Sequence, residues 1–405
     1  MEQDELPWYR WWVIQQARAL PQHVLLSLPE IDWDDEASSA AFFLAWNRIR
    51  ELILAPGPKN VNSITHTLTS LGMLEAKNGY ESTQAVKNLV ISILGWQTML
   101  YKPDFSPPST GSCTLLDETD GHRGEARLSL TQFGPAMNKN LPDFLLGFGM
   151  MLPPPNYCAF DDADDQALFN HTRTVSSKDL NAHVLTKVCG MTIHWVDSLS
   201  CHLELDRQSG KLFLWRYPSF GVSSLAQHHG GPGKDERQST LHHCAMEKPG
   251  SSLPWGTEQD VSSLLQEILL SYRLIFGQNK RSRAGFRRSQ PFARLPSQGH
   301  DKLLGQLCGR KRFDSPTGAA ALIERDEYDL AADFPHLRSR LARLGGYAAG
   351  KKPRSIRQLW RDRRDSTAWL ALWSVLVFGS VSVVLALLQT VFQVLQYTAM
   401  GKTGG

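Results

Sequence analysis

Residues Ala368 to Leu388 read AWLALWSVLVFGSVSVVLALL and carry no charge. At about 1.5 Å of rise per residue, a helix of that run covers about 30 Å, the hydrocarbon thickness of a bilayer. The uncharged stretch extends further, from Ser366 to Gly401. A run like this has two homes, the centre of a large core or a membrane. Its flanks point to the membrane. Trp369 and Trp373 lie one turn apart at its start and Tyr397 at its far end, about 42 Å apart along a helix, where amphipathic rings meet the two interfaces. We expect a transmembrane helix over 366–397, followed by a short tail, 398–405.

The charge flanking the run gives a direction. Lys351, Lys352, Arg354, Arg357, Arg361, Arg363 and Arg364 precede it, diluted by Asp362 and Asp365, and only Lys402 follows. The positive-inside rule places the bulk of the chain in the cytosol and the tail in a lumen. Gln389, Gln393 and Gln396 share one helix face. They either meet water and headgroups or form a polar seam between helices of a homo-oligomer. The start, MEQDELPWYRWW, has no basic region ahead of an apolar core, which fits a tail-anchored protein inserted after synthesis.

Ahead of the anchor lie enough residues for one large domain or two ordinary ones. Hydrophobic residues at 42% and 12 Trp exclude a disordered chain. The net charge of +3 hides an uneven distribution. From Arg273 to Arg312 there are eleven Lys or Arg and a single acid, Asp301. The six cysteines show no CxxC spacing, so a four-cysteine zinc site is not expected, and in a cytosolic body they would be reduced thiols. Asn170-His171-Thr172 is a glycosylation sequon and reports topology.

Apolar periodicity predicts helices within 8–54, including Glu36–Leu54 with Asp34 or Asp35 as its cap, and at 61–75 and 83–100. The last of these contains Lys87 and Asn88 and reads as a buried helix rather than a second span. Residues 102–125 read as loop, Ala126–Thr131 as a short strand, and Leu141–Leu152 as a short apolar helix or strand. Ser176 and Asp179 form a capping-box pattern for a helix to Val188, stopped at Gly190. Trp195–Leu205 fits a second amphipathic helix, and Lys211–Tyr217 a strand. Residues 226–256 read as a polar loop. Thr257–Phe276 is a capped amphipathic helix, and a short helix is expected near Lys302–Leu307.

Few of these residues form a recognisable chemical pattern. His228, His229, His242, His243 and Cys244 place five candidate metal ligands within 17 residues. No pair has the CxxC or HxxxH spacing of zinc sites, so no metal is expected. Cys189, His194, Cys201 and His202 suggest a Cys–His nucleophile pair, but structural roles suit their positions better. Gly230-Gly231-Pro232-Gly233-Lys234 runs into Asp235 and is not a phosphate loop. No catalytic residue and no cofactor is assigned. The basic run Lys280-Arg281-Ser282-Arg283 … Arg287-Arg288 is a solvated linker, a surface for anionic lipid headgroups or, with Phe286 and Phe292 interleaved, a less favoured nucleic-acid surface.

Several phrases carry a resemblance: ILGWQTMLY (93–101), LLGFGMMLPP (145–154), LNAHVLTKVCGMTIHWVDSLSCHLELD (180–206), LFLWRYPSF (212–220), IFGQNKRSR (275–283), LLGQLCGRKR (303–312) and RDRRDSTAWLALWSVLVFGS (361–380). They resemble a family of uncharacterised filamentous-fungal proteins that ends in a similar basic flank and single membrane helix. The resemblance implies a fungal source and an anchor. It implies no activity, cofactor or catalytic residue.

The expected fold is α+β, a predominantly helical soluble domain with one C-terminal transmembrane helix. The domain covers 1–275, divisible into a helical part (1–110) and a mixed part (111–275), then a basic segment (276–316) and a juxtamembrane region (317–365). The expected function is a membrane-tethered interaction or scaffold module facing the cytosol, with the lipid bilayer and unidentified proteins as partners. The alternatives are a membrane-anchored enzyme whose site is assembled from distant residues, and a subunit of an oligomeric transporter.

Overall fold

The first hundred residues form five helices because their apolar positions repeat at helical spacing. They are α1 (Pro7–Arg18), α2 (Gln22–Leu25), α3 (Glu36–Leu54), α4 (Val61–Ser70) and α5 (Tyr80–Thr98). The structure is a computed structural model and describes residues 6–25, 27–28, 36–74, 80–106, 111–119, 130–148, 152–156, 162–228, 239–245, 257–313, 322–351 and 366–403. Asp34 and Asp35 lie outside the described residues. Pro7 opens α1, where its missing N–H costs nothing. Asn60 caps α4, accepting from the Ser63 N–H at 2.7 Å.

Helix α5 runs through the core. Leu89, Val90, Ile91, Ile93, Leu94 and Trp96 are all buried. Two of its polar residues are satisfied within the helix: Gln84 donates to Asn88 Oδ1 at 3.0 Å, and Ser92 donates to the Asn88 carbonyl at 2.7 Å, while Gln97 donates to the Trp46 carbonyl of α3 at 2.8 Å. It is a buried helix of the body, as its Lys87 and Asn88 suggest. After it, Met99 takes a left-handed backbone (φ 50°) and the chain folds back, so that Tyr101 donates to the Ile91 carbonyl at 2.9 Å. A Cβ on Gly95 would stand 2.5 Å from the Tyr101 ring, so only glycine admits this return.

Three small sheets follow. In the first, β1 (Pro103–Asp104), β2 (Ser112–Leu115) and β3 (Thr131–Phe133) pair antiparallel, with Thr114 opposite Thr131. The stretch 102–125, read above as loop, therefore supplies two strands. Of the strand expected at Ala126–Thr131, only its end is seen, at the start of β3, because residues 120–129 lie outside those described. Helices α6 (Leu141–Leu146) and α7 (Ala163–His171) come next, and then β4 (Thr174–Ser176).

Two expectations need correction here. The helix predicted from Ser176 begins later, as α8 (Ala182–Lys187), with Asn181 as its cap at 3.1 Å from the Val184 N–H. Ser176 instead closes a turn, accepting from Lys178 N–H at 3.1 Å. The amphipathic helix predicted over Trp195–Leu205 does not form. Thr192–Val196 is β5, Leu199–Cys201 is a single 3-10 turn and Leu205–Asp206 is β6. The apolar spacing fitted both periods. The β-branched and aromatic run TIHWV pairs in parallel with β7 (Lys211–Trp215), Thr192 opposite Lys211 and Val196 opposite Trp215. β6 covers the other edge of β7.

The body continues through α9 (Pro218–His228), α10 (Thr240–Ala245) and α11 (Glu258–Tyr272). The end predicted at Phe276 is a π turn, Arg273–Gly277. Then come α12 (Lys280–Ser289), α13 (Lys302–Gly309), β8 (Glu327–Asp329), α14 (Leu330–Asp333) and α15 (Arg338–Gly350). β8 pairs with β4, Val175 opposite Tyr328.

One hydrophobic cluster runs from Trp8 to Ala348. The core shows no break at residue 275 or between the helical and mixed parts. Arg273, the first of the eleven cations counted above, is fully buried and donates to the carbonyls of Leu307 at 2.6 Å and Lys311 at 2.8 Å. Glu267 of α11 accepts from the backbone N–H groups of His336 at 3.0 Å and Leu337 at 2.8 Å, holding the start of α15. The last helix, Ser366–Thr403, stands apart from this core. The fold is thus α+β and mostly helical, with one apolar C-terminal helix.

Candidate functional site

The densest set of ionisable side chains lies just past the carboxyl ends of the two parallel strands. Asp197 follows β5 and Arg216 follows β7, so parallel pairing brings them together, with Arg216 Nε 2.5 Å from Asp197 Oδ1. Lys102, next to β1, reaches Asp197 Oδ2, and its Nζ is 3.4 Å from Glu118. Glu118 also accepts from the Ser198 N–H at 2.6 Å. Trp12 of α1 donates to Asp197 at 3.3 Å, and Trp215 donates to the Asp197 carbonyl at 2.9 Å. Tyr217 stacks on Trp8 at 4.1 Å.

Every charge in this cluster is answered. Burial works against the Asp197 carboxylate, but Lys102 and Arg216 hold it below its ordinary value. Burial likewise works against the Lys102 ammonium, and Glu118 and Asp197 hold it above its ordinary value. The lysine stays protonated and the aspartate ionised. As an ammonium, Lys102 has no lone pair for nucleophilic attack. The cluster joins α1, the first sheet and the β5–β7 pair. The sequence reading missed it, although a charge directly after each of two apolar strands (HWV-Asp197, LFLW-Arg216) was its signal.

His202 shows the same logic. It is fully buried, and burial followed by the nearby Arg340 guanidinium pushes its pKa down to about 3. Its Nδ1 accepts from the Trp215 N–H at 3.3 Å, so the proton of the neutral ring sits on Nε2. Nε2 faces Ser271 Oγ at 2.8 Å, and Ser271 in turn donates to the Ile268 carbonyl at 2.7 Å. The imidazole thus gives this serine a hydrogen bond rather than taking its proton. Of the suspected Cys–His group, Cys201 packs with Val196 and Phe213, Cys189 lies 3.9 Å from the Ala348 carbonyl, and His194 is exposed on β5.

The histidine-rich stretch is only partly loop. His242, His243 and Cys244 lie on α10, with His242 and Cys244 buried. His242 Nε2 is 3.0 Å from Ser262 Oγ, and burial pushes the Cys244 thiol up to about 12. His228 ends α9, and His229 lies outside the described residues. Among the described residues, no three His, Cys, Asp or Glu side chains are placed to hold a metal ion.

The basic segment is not a linker. Phe286 turns α12 inward, packing edge-on against Trp195 and Phe276. Lys280, Arg281, Arg287 and Arg288 of α12 stand exposed, as do Lys302, Arg310, Lys311 and Arg312 at α13, which packs against α12. The one acid in this stretch, Asp301, is buried and accepts from Ser219 N–H and Leu303 N–H, each at 2.8 Å.

Within the C-terminal helix, Trp373–Gln396 is long and apolar enough to cross a membrane, and none of it is buried against the protein. Gln389, Gln393 and Gln396 are exposed on it. Trp369, Trp373 and Tyr397 all fall within the helix. Of the basic flank, Lys351 lies with its ammonium 4.8 Å over the Tyr347 ring. Lys352, Arg354, Arg357, Arg361, Arg363 and Arg364 lie outside the described residues. No known protein family, no curated protein and no solved structure matches this chain.

Proposed function

We propose that this chain is a single-pass membrane protein whose α+β body is an interaction or scaffold module held at the cytosolic surface of a bilayer. The observation that carries the reading is the C-terminal helix. Its exposed apolar residues, Val375 to Leu395, find no cover in the body. An uncovered apolar surface of that length belongs in lipid. The basic residues preceding it favour the cytosolic orientation. The module reading draws support from the charged cluster at Asp197 and from His202, whose groups are spent on holding elements together. Self-association through the glutamine face belongs to the same proposal.

A glycosylation assay in intact membranes tests it, with an acceptor sequon added after Gly405 and Asn170 left in place. Asn170 is exposed on α7 and free to report. Modification of the added site alone supports the orientation. Modification of Asn170 alone reverses it. Modification of neither, with the chain extracted by alkaline carbonate, overturns the anchor.

A further inference from the structure

The basic residues of α12 and α13 have a property that their number alone does not convey. Lys280, Arg281, Arg288, Lys302, Lys311 and Arg312 are exposed, and their side chains make no ion pair with any described residue. Asp301, the only acid between residues 280 and 312, is buried and committed to backbone donors. The cations are presented on a fixed surface, because Phe286 anchors α12 to Trp195 and Phe276 while Ser282 is fully buried. Burial, Arg273 and Arg287 together hold Arg283 below its ordinary value, a sign of the crowded positive field.

This face also lies near α15, the last described element before the C-terminal helix. Helix α8 touches both. At its start, the His183 N–H donates to Ser282 of α12 at 3.0 Å. Just past its end, Cys189 lies 3.9 Å from the Ala348 carbonyl in the last turns of α15. Six residues of helix span about 9 Å. From Lys351, fifteen residue steps lead to Ser366, a reach of at most about 54 Å. A body so tethered stays within range of the leaflet.

We propose that the α12–α13 face is the side of the body that lies on the acidic headgroups of the bilayer crossed by the C-terminal helix. The proposal rests on the membrane reading above. Charge complementarity selects the occupant, since each Lys or Arg near an anionic leaflet adds about a fivefold gain in association. Single-stranded nucleic acid would want exposed rings for base stacking. Here Phe286 is buried and Phe292 is stacked on His300 at 5.0 Å.

The test uses the full chain reconstituted in vesicles of phosphatidylcholine alone, or of phosphatidylcholine with phosphatidylserine. A fluorophore is placed through Gly285→Cys, an exposed site with open space for the new Cβ. Energy transfer to a dye on the lipid headgroups reports proximity, and flotation reports insertion. We expect transfer to rise on the phosphatidylserine vesicles, to fall back in high salt, and to drop in Arg281→Glu/Arg288→Glu and, separately, in Lys302→Glu/Lys311→Glu. Circular dichroism checks that both variants remain folded. Equal transfer on both lipids, with the chain floating normally, overturns this proposal and leaves the anchor intact. A chain that does not float overturns the membrane reading itself. If an added RNA oligonucleotide lowers the transfer on phosphatidylcholine and added phosphatidylserine has no effect, nucleic acid is the occupant and the proposal falls.

Discussion

Ser282, in the first turn of α12, donates its hydroxyl to the same Asn181 oxygen that accepts the Val184 N–H at the start of α8, both at 3.1 Å. Asn181 also brackets the preceding turn, donating to the Ser177 carbonyl at 3.0 Å and the Lys178 carbonyl at 2.8 Å. One buried amide therefore sets where α8 begins and where α12 sits. Asn181→Ala should lower stability by about 1–2 kcal/mol for the lost cap alone. Ser282→Ala leaves the His183 N–H without its acceptor, at about 1–3 kcal/mol. Urea unfolding of the full chain in detergent, with both single variants and the double, should show strong coupling between the two sites.

Asp197→Asn should be far more damaging. It leaves Lys102 and Arg216 buried against each other, with only Glu118 to answer them. Breaking a buried ion pair from one side costs about 3–5 kcal/mol. The wild-type cluster also sets a pH window. The lowered Asp197 value contributes stability above the ordinary carboxylate pKa, lost as pH falls through the folded value. The raised Lys102 value contributes below the ordinary lysine pKa, lost as pH rises through its folded value. The gap in unfolding midpoint between wild type and an Asp197 variant that still folds should shrink at both ends of the pH range.

Asp301 should act in the opposite sense. Burial, against the backbone and Ser219 hydrogen bonds, raises its carboxyl from 3.8 to about 6. A raised acid is stabilising when protonated, so its contribution is complete below the unfolded pKa and is lost as pH rises through the folded value. Asp301→Asn does not ionise, and its single acceptor oxygen can serve only one of the Ser219 and Leu303 N–H groups, which reach different carboxylate oxygens, so it should be less stable than wild type at low pH. The variant should gain about 2 kcal/mol relative to wild type on moving from pH 4 to pH 7. Parallel urea titrations at the two pH values check it, and a constant difference would refute the buried-carboxyl reading.

A charge at the centre of the C-terminal helix should prevent its insertion. Val384 is exposed, midway along Trp373–Gln396. Arginine at a mid-span position costs about 2.5–3.5 kcal/mol on the insertion scale. Val384→Arg should shift the chain toward the carbonate-extractable fraction, while Val384→Leu should not. Equal membrane retention of the two variants would count against a spanning helix.

Much of this fold was legible where one period dominated. The spacing in α3, α5 and α11 points to helices, and the Thr257 cap with Asp260 is present as a reciprocal box. The 21-residue apolar run is likewise local information. Failure came where residues satisfy two periods. Trp195, Val196, Leu199 and Leu203 suit a helix on spacing, and only pairing with Lys211–Trp215, a tertiary fact, makes Thr192–Val196 a strand. The Asp197 cluster was hidden for the same reason. Lys102, Glu118, Asp197 and Arg216 are spread over more than a hundred residues, and nothing local links them. The basic segment misled because composition does not show that Phe286 turns inward and makes an ordered helix of it.

The attachment of α15 also sets a load path. Any pull from the C-terminal helix enters the body through Lys351 and runs back along α15. It meets first the buried Arg343, 3.4 Å from Asp165 of α7, and then the buried Arg340, whose guanidinium donates to the carbonyls of Ser200 and His202 and pairs with Glu204 at 3.0 Å. Behind that, Glu267 grips the start of the helix. These bonds would have to yield before the terminal helix could be stripped from the core. The buried polar groups at α15 are thus its mechanical fastening.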